Sequence, residues 1–300
     1  MDSVLLERNP PVPVPQLHQL LPLTCRLKVV DIGANPIDGD VPYAPLLAAG
    51  HTEVVGFEPN PAALAKLNEL KGPNETYLPH AVGDGGRRAL RICRLPGMTS
   101  LLKPNQKVLS LFYGFADWGE VVETVELETV RLDDTPQTAG LDLLKIDIQG
   151  GELLVFQNAP ERLGGALVIH TEVEFMPMYV GQPLFADVDL FLRARGFMLH
   201  RFEPLVTRDI KPLLFGADPY VGHSQLLWAD AIYVRDLLRL EALGPEQLLK
   251  TAVILHDCYK SYDVALYLLR EYDRRTGLDF ADRYFGAITR LLATAPQGLS

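Results

Sequence analysis

Two short apolar runs, each stopped abruptly by small or polar residues, constrain the fold of this chain more than anything else in it. Lys28-Val-Val-Asp-Ile-Gly-Ala-Asn closes on Asp31, Gly33, Ala34 and Asn35, and Val54-Val-Gly-Phe-Glu-Pro-Asn closes on Glu58 and Pro59. Runs this short and this apolar predict strands buried on both faces of a parallel sheet. A helical stretch follows each: residues 41–49 with Pro42 near the start and Gly50 after the end, and residues 61–70 opened by Pro61 and stopped by Gly72.

The alternation continues. Strands are predicted over residues 77–82, 141–148 and 166–172, and helices over 152–158 and 186–195. Residues 88–132 break the pattern: two runs, 89–95 and 121–132, the second with one apolar and one acidic face, predict a β-hairpin insertion. Two last strands, 197–202 and 226–234, come too close together for a crossover helix and predict an antiparallel pair at one edge. The expected fold class is therefore α/β, with a mostly parallel sheet covered by helices on both faces. Residues 237–300 change character. Apolar residues at helical spacing there (Leu248, Leu249, Ala252, Leu255; Ala265, Leu268, Leu269) predict a helical appendage of about three helices. It needs a partner surface, either the core or a second copy of the chain. The expected division is a proline-rich arm over 1–26, a main domain over 27–236 and the appendage over 237–300.

Charge narrows the function. With 28 Lys and Arg against 38 Asp and Glu, the net charge is −10, which disfavours nucleic acid and anionic membranes as partners. Cys25, Cys93 and Cys258 have no metal-ligand spacing and read as reduced thiols of a cytoplasmic protein. The arm (Pro10, Pro11, Pro13, Pro15) does not resemble a signal peptide, and no apolar run is long enough to span a bilayer.

In an open parallel sheet, ligands bind beyond the carboxyl ends of the strands. Here each end carries an acid: Asp31, Glu58, Asp84, Asp147, and Glu172 with Glu174. Glu58 follows Gly33 by about 25 residues, near the roughly 20 expected of an acid that binds ribose hydroxyls. Asp38 and Asp40 add further negative charge to the first turn, which suits a pyrophosphate poorly. A ligand with a ribose and a positive charge but no phosphate fits better, and S-adenosylmethionine is one. Asp31, Gly33, Ala34, Asn35, Glu58, Pro59, Val82, Asp84, Asp147 and Gln149 are the candidate cofactor-binding residues. A methyl acceptor also needs a base. Asp147 and Glu172, at the ends of adjacent central strands, are the catalytic candidates, and His170 is the first histidine to test, ahead of His80, His200 and His223. Glu174, Tyr179 and Gln182 follow the same strand and are candidates for lining the acceptor pocket; Phe112, Tyr113, Phe115 and Trp118 either pack or cover the site.

Val-Val-Asp-Ile-Gly-Ala-Asn (29–35), Gly-Phe-Glu-Pro-Asn-Pro (56–61), Ala-Val-Gly-Asp-Gly (81–85), Thr-Ser-Leu (99–101), Arg-Leu-Asp-Asp (131–134) and Leu-Leu-Lys-Ile-Asp-Ile-Gln-Gly-Gly-Glu (143–152) occur in this order. Together they resemble the FkbM family of S-adenosylmethionine-dependent O-methyltransferases. The resemblance implies a Rossmann-like class I methyltransferase core of seven strands with the last antiparallel. It also implies a methyl acceptor hydroxyl on a sugar, glycan precursor or natural product. A non-catalytic protein that keeps the nucleoside pocket is the alternative. The chain departs from the family twice: Pro36 follows Gly-Ala-Asn, with glycine returning only at Gly39, and Gln149 stands where the family commonly has Glu. Because of Gln149, no metal site is expected.

Overall fold

The computed structural model describes residues 14–23, 25–35, 41–214, 218 and 220–294. Pro10, Pro11 and Pro13 of the arm, and Pro36, Asp38, Gly39 and Asp40 of the first turn, lie outside the described residues.

Nine strands are present among the described residues: β1 (Leu27–Ile32), β2 (Thr52–Phe57), β3 (Glu75–Leu78), β4 (Arg87–Cys93), β5 (Val121–Glu128), β6 (Leu143–Ile146), β7 (Val168–Glu174), β8 (Phe197–Arg208) and β9 (Gln225–Arg235). Seven form one sheet in the order β3-β2-β1-β6-β7-β9-β8, and β4 pairs with β5 in a separate hairpin. β1, β2, β3, β6 and β7 run parallel, whereas β9 is antiparallel to both β7 and β8. The order reverses between β1 and β6, the crevice where such sheets bind ligands.

The helices cover both faces. They are α1 (Leu17–Leu20), α2 (Ala44–Ala48), α3 (Pro61–Leu70), α4 (Gln106–Leu109), α5 (Phe115–Trp118), α6 (Glu152–Gln157), α7 (Pro160–Gly165), α8 (Phe185–Arg193), α9 (Pro245–Asp257), α10 (Tyr262–Thr276) and α11 (Phe280–Thr294). α3 starts where the sequence places it, because Asn60 accepts the Ala62 and Ala63 N–H groups and Pro61 occupies the first turn. Side chains alternate across each strand. Val30, Ile32, Leu144, Ile146 and Val173 pack with α6, α7 and α8 (Val155, Phe156, Leu163, Val188, Leu192). Val29, Leu143, Val168, Ile232 and Val234 share the other core with α1, α2 and α9 to α11. The carboxy-terminal helices therefore find their partner surface on the sheet. Leu17 N–H also bonds to Asp257 of α9, which ties the arm to the same helices.

A third, smaller core (Cys93, Met98, Leu109, Phe112, Phe115, Met178, Tyr179, Leu227) seats the segment between β4 and β5 against the residues after β7. Several boundaries differ from the sequence reading. β3 covers Glu75–Leu78, and Val82 forms an isolated parallel bridge to Val130 instead of extending it. β6 stops at Ile146, because the next residues leave the ladder to form a turn. α7 has no counterpart among the helices expected from the sequence. No helix among the described residues is long and apolar enough to cross a membrane.

Candidate active site

The turn after β1 is fixed by close backbone contact. Gly33 has φ +83°, and a Cβ built there lies 2.1 Å from the carbonyl oxygen of Asp147. Only glycine tolerates both the conformation and the approach. The Gly33 and Ala34 N–H groups both donate to the Phe57 carbonyl at 3.1 Å, so this turn also sits on the end of β2. Glu58 comes next. It is buried, and its carboxylate accepts the Asn60 N–H at 2.7 Å. Pro59, the next residue, is half-buried, as is Asn35 in the turn after β1, and Val82 belongs to the core.

Two predicted acids are engaged elsewhere. Asp31 is fully buried; it accepts the Tyr43 hydroxyl at 2.6 Å and lies 3.5 Å from the Lys145 ammonium. Asp84 pairs with Arg88 at 2.5 Å and accepts the Gly86 N–H, closing the turn into β4. The hydrogen bond from Arg88 leads the effects that hold the Asp84 carboxyl down at about 2.

The turn after β6 brings Asp147, Gln149 and Glu172 together. Gln149 adopts φ 60° and Gly150 φ 96°, a left-handed pair uncommon for a residue with a side chain. The Gln149 amide donates to Asp147 Oδ1 at 2.9 Å and to Glu172 Oε2 at 2.8 Å. Its Oε1 lies 3.1 Å from the Tyr179 hydroxyl, which is also 3.1 Å from the Met98 carbonyl. Ser100 donates to the Gln149 carbonyl at 2.7 Å. An amide is the only uncharged side-chain group with two N–H donors on one atom and an acceptor beside it. A glutamate at 149 would bring a third acceptor to two carboxylates.

Glu152, which the sequence reading assigned only to the start of a helix, joins this group. Ligand oxygens of Asp147, Glu152 and Glu172 all lie within 4.8 Å of one another. Glu152 Oε1 accepts the Ile148 N–H at 2.9 Å, which turns the first residue of α6 back toward the strand end. The Gly150-Gly151-Glu152 run was the available signal: a Cβ at Gly150 would meet Gln182 at 2.7 Å and one at Gly151 would meet Ile148 at 3.0 Å, so the turn that precedes Glu152 is tight.

Burial raises three of these carboxyls. Glu152 is pushed up to about 7, with Asp147 adding repulsion and backbone N–H groups opposing it. Glu172 is pushed well above the usual range by burial and then by Asp147, Glu174, Glu152 and Asp230. Glu174 rises for the same reasons, with Glu152 and Asp147 as its strongest like charges.

Glu174, Tyr179 and Gln182 lie behind the Gln149 turn, and all three are buried. Tyr179 N–H donates to Gln182 Oε1 at 3.1 Å. Glu174 Oε1 and Gln182 Nε2 are buried atoms without a hydrogen-bond partner.

His170 shares a sheet face with Glu172, but both its ring nitrogens have partners: Asp230 at 3.2 Å and the Tyr259 hydroxyl at 3.3 Å. It links β7 to the end of α9. His200 lies 2.7 Å from the Ser261 hydroxyl and His223 3.2 Å from Asp209, while His80 is exposed. Phe112 and Phe115 are core residues of the insertion, and Trp118 stacks on Tyr220.

The Methyltransferase FkbM domain matches residues 31–199. The chain is similar to 2-O-methyltransferase NoeI of Sinorhizobium fredii (strain NBRC 101917 / NGR234), at 30% identity over 176 residues, 54% of this chain and 70% of that protein. Among solved structures it is similar to magnesium protoporphyrin IX methyltransferase (ChlM) from Synechocystis PCC 6803, solved with bound SAM. Identity there is 11% and the TM-score 0.36, over 70% of this chain and 71% of that one. A SAM dependent methyltransferase from Aquifex aeolicus gives 13% identity and a TM-score of 0.30, over 73% of this chain and 87% of that one.

Proposed function

The chain belongs to the FkbM methyltransferase family, and from this premise we propose that it transfers a methyl group from S-adenosylmethionine to a hydroxyl of a sugar, glycan precursor or natural product. One observation supports the reading above all: the β1 and β6 turns touch through Gly33 and Asp147, with buried Glu58 on one side and the Asp147–Gln149–Glu172 cluster on the other. These carboxylates are hydrogen-bond acceptors, the set that suits a ribose diol and a cationic amino acid end. The name of NoeI, a 2-O-methyltransferase, favours oxygen as the acceptor atom.

S-adenosylmethionine supplies the electrophilic methyl when bound. Glu58 accepts hydrogen bonds from the ribose hydroxyls. Asp147, beside Gly33, faces the methionine end or the acceptor. Asp147 acts as the base or as the anchor of the acceptor, with Glu172 as its partner: the acceptor oxygen gives up its proton as its bond to the methyl carbon forms and the bond from that carbon to sulfur breaks. Gln149 holds the two carboxylates apart and oriented throughout.

Calorimetry with S-adenosylhomocysteine, followed by methyl transfer from labelled S-adenosylmethionine to a panel of sugar and polyketide hydroxyls, tests the reading. Absence of binding at hundreds of micromolar refutes the cofactor. Binding without turnover on any acceptor favours the non-catalytic alternative.

A further inference from the structure

We infer that Asp147, Glu152 and Glu172, with Glu174 behind them, form a binding site for one hard divalent cation of the Mg²⁺ or Mn²⁺ class. Two independent observations carry this. The first is geometric: three carboxylates from three elements (the β6 turn, the start of α6 and the end of β7) present oxygens within 4.8 Å of one another. Ligands about 2.1–2.4 Å from one ion lie at most about 4.2–4.8 Å apart across it, so a slight contraction brings all three onto Mg²⁺ or Mn²⁺. All-oxygen, carboxylate-rich ligation selects these ions over zinc or copper.

The second is Glu174. It is 2% exposed; its side chain hydrogen-bonds with that of Glu172, but its Oε1 has no hydrogen-bond partner. Its strongest charged neighbours are Glu152 and Asp147, members of the same cluster. A buried carboxylate oxygen without a donor is costly unless something positive faces it. The second carboxylate layer behind the first supplies the charge that orients and strengthens ligation.

Gln149 does not prevent this. Its amide contacts one oxygen each of Asp147 and Glu172, and each carboxylate has a second oxygen. The expectation of no metal site rested on the missing glutamate at 149, whereas the cluster is completed by Glu152. Three protein ligands leave open positions on the ion, where an acceptor hydroxyl can bind and become more acidic. That last role depends on the methyl-transfer reading; the binding of the ion does not.

The test is Mn²⁺ binding to the full chain without cofactor, followed by electron paramagnetic resonance of free Mn²⁺ and by thermal denaturation. The expected result is one Mn²⁺ per chain, displaced by Mg²⁺, with a raised Tm. Glu152→Gln and Glu174→Gln each weaken binding at least tenfold, and Glu128→Gln, in the β4–β5 hairpin, leaves it unchanged. Isosteric amides remove charge without removing volume, and circular dichroism confirms that the variants are folded. No Mn²⁺ uptake by the wild-type chain, or uptake that all three variants retain, overturns the proposal. If S-adenosylhomocysteine binds while Mn²⁺ does not, the cluster is neutralised by protons or by the cofactor's ammonium group: the cation site fails and the methyltransferase reading survives. Mn²⁺ uptake without any cofactor binding gives the reverse.

Discussion

Alanine at Gly33 tests the contact between the two turns most directly. Two penalties meet there. A residue with a Cβ held at φ near +83° loses about 1–2 kcal/mol. The new Cβ also lies 2.1 Å from the Asp147 carbonyl oxygen and 3.2 Å from its carbon. Backbone cannot swing aside as a side chain can, so β1 and β6 must part at their ends, at about 1–3 kcal/mol. The sum is about 2–5 kcal/mol, or a Tm lowered by about 5–15 °C for a domain of this size. Gly140→Ala separates the two penalties, because Gly140 has φ +78° and nothing within 4 Å of its virtual Cβ. It meets only the conformational cost, part of which, about 0.4–1 kcal/mol, is returned by stiffening the unfolded chain. Thermal unfolding of both variants, with calorimetry of S-adenosylhomocysteine, gives the comparison. Gly33→Ala is expected to lose both stability and cofactor affinity, and Gly140→Ala little of either. If Gly33→Ala unfolds within about 2 °C of the wild type and binds normally, the close approach is not what shapes the site.

Glu58→Ala should weaken S-adenosylhomocysteine binding by about 1–3 kcal/mol, the cost of losing a charge-assisted hydrogen bond; calorimetry reads it directly. Gln149→Glu replaces a donor shared by Asp147 and Glu172 with a further acceptor, so turnover should fall at least tenfold while affinity for S-adenosylhomocysteine changes less, and equal turnover would contradict the bridging role. His256 and Asp257 offset one another in pH dependence. Burial lowers His256 from 6.5 to about 4, so the fold loses stability as pH falls through that window. Burial raises Asp257 from 3.8 to about 7, so the fold loses stability as pH rises through that window. His256→Gln removes the first contribution. The urea stability of the variant, measured relative to wild type, should drop by about 1.4 kcal/mol per pH unit between about pH 4 and 6.5, and a flat difference would refute a buried neutral imidazole. Finally, truncation after Arg235 should abolish folding. Leu248, Ile254, Leu255, Leu268 and Leu269 are all fully buried, and at about 1.5–3 kcal/mol each they match the whole net stability of a typical domain, about 5–15 kcal/mol. A soluble, cooperatively unfolding truncate would show the sheet to be self-sufficient.

The parallel sheet and its reversal point were legible because apolar runs ending in glycine and acid leave a strong local mark. Gly33 could be singled out from its motif, and Glu58 from its distance to it. The partners of Asp31 could not. Tyr43 lies just before α2 and Lys145 on another strand, and nothing local says that the acid turns toward them. The amide bridge of Gln149 was equally hidden, because it needs β6 and β7 side by side and Tyr179 returning behind them. Helical periodicity identified α9 and α10 as amphipathic but carried no sign of which surface would receive them. α7 is six residues long and follows α6 after two residues, too short for a period to register.

The shared core of β1, β6, β7 and β9 with α9 to α11 has a consequence for how the chain is made. Leu17 bonds to Asp257 across 240 positions, and Val29 belongs to the same core as Leu255 and Leu268. At roughly 5–20 residues per second, a ribosome releases β1 many seconds before the helices that cover its outer side. During that interval half of a greasy sheet stays uncovered in the growing polypeptide. That face can be covered only once α9 to α11 have emerged.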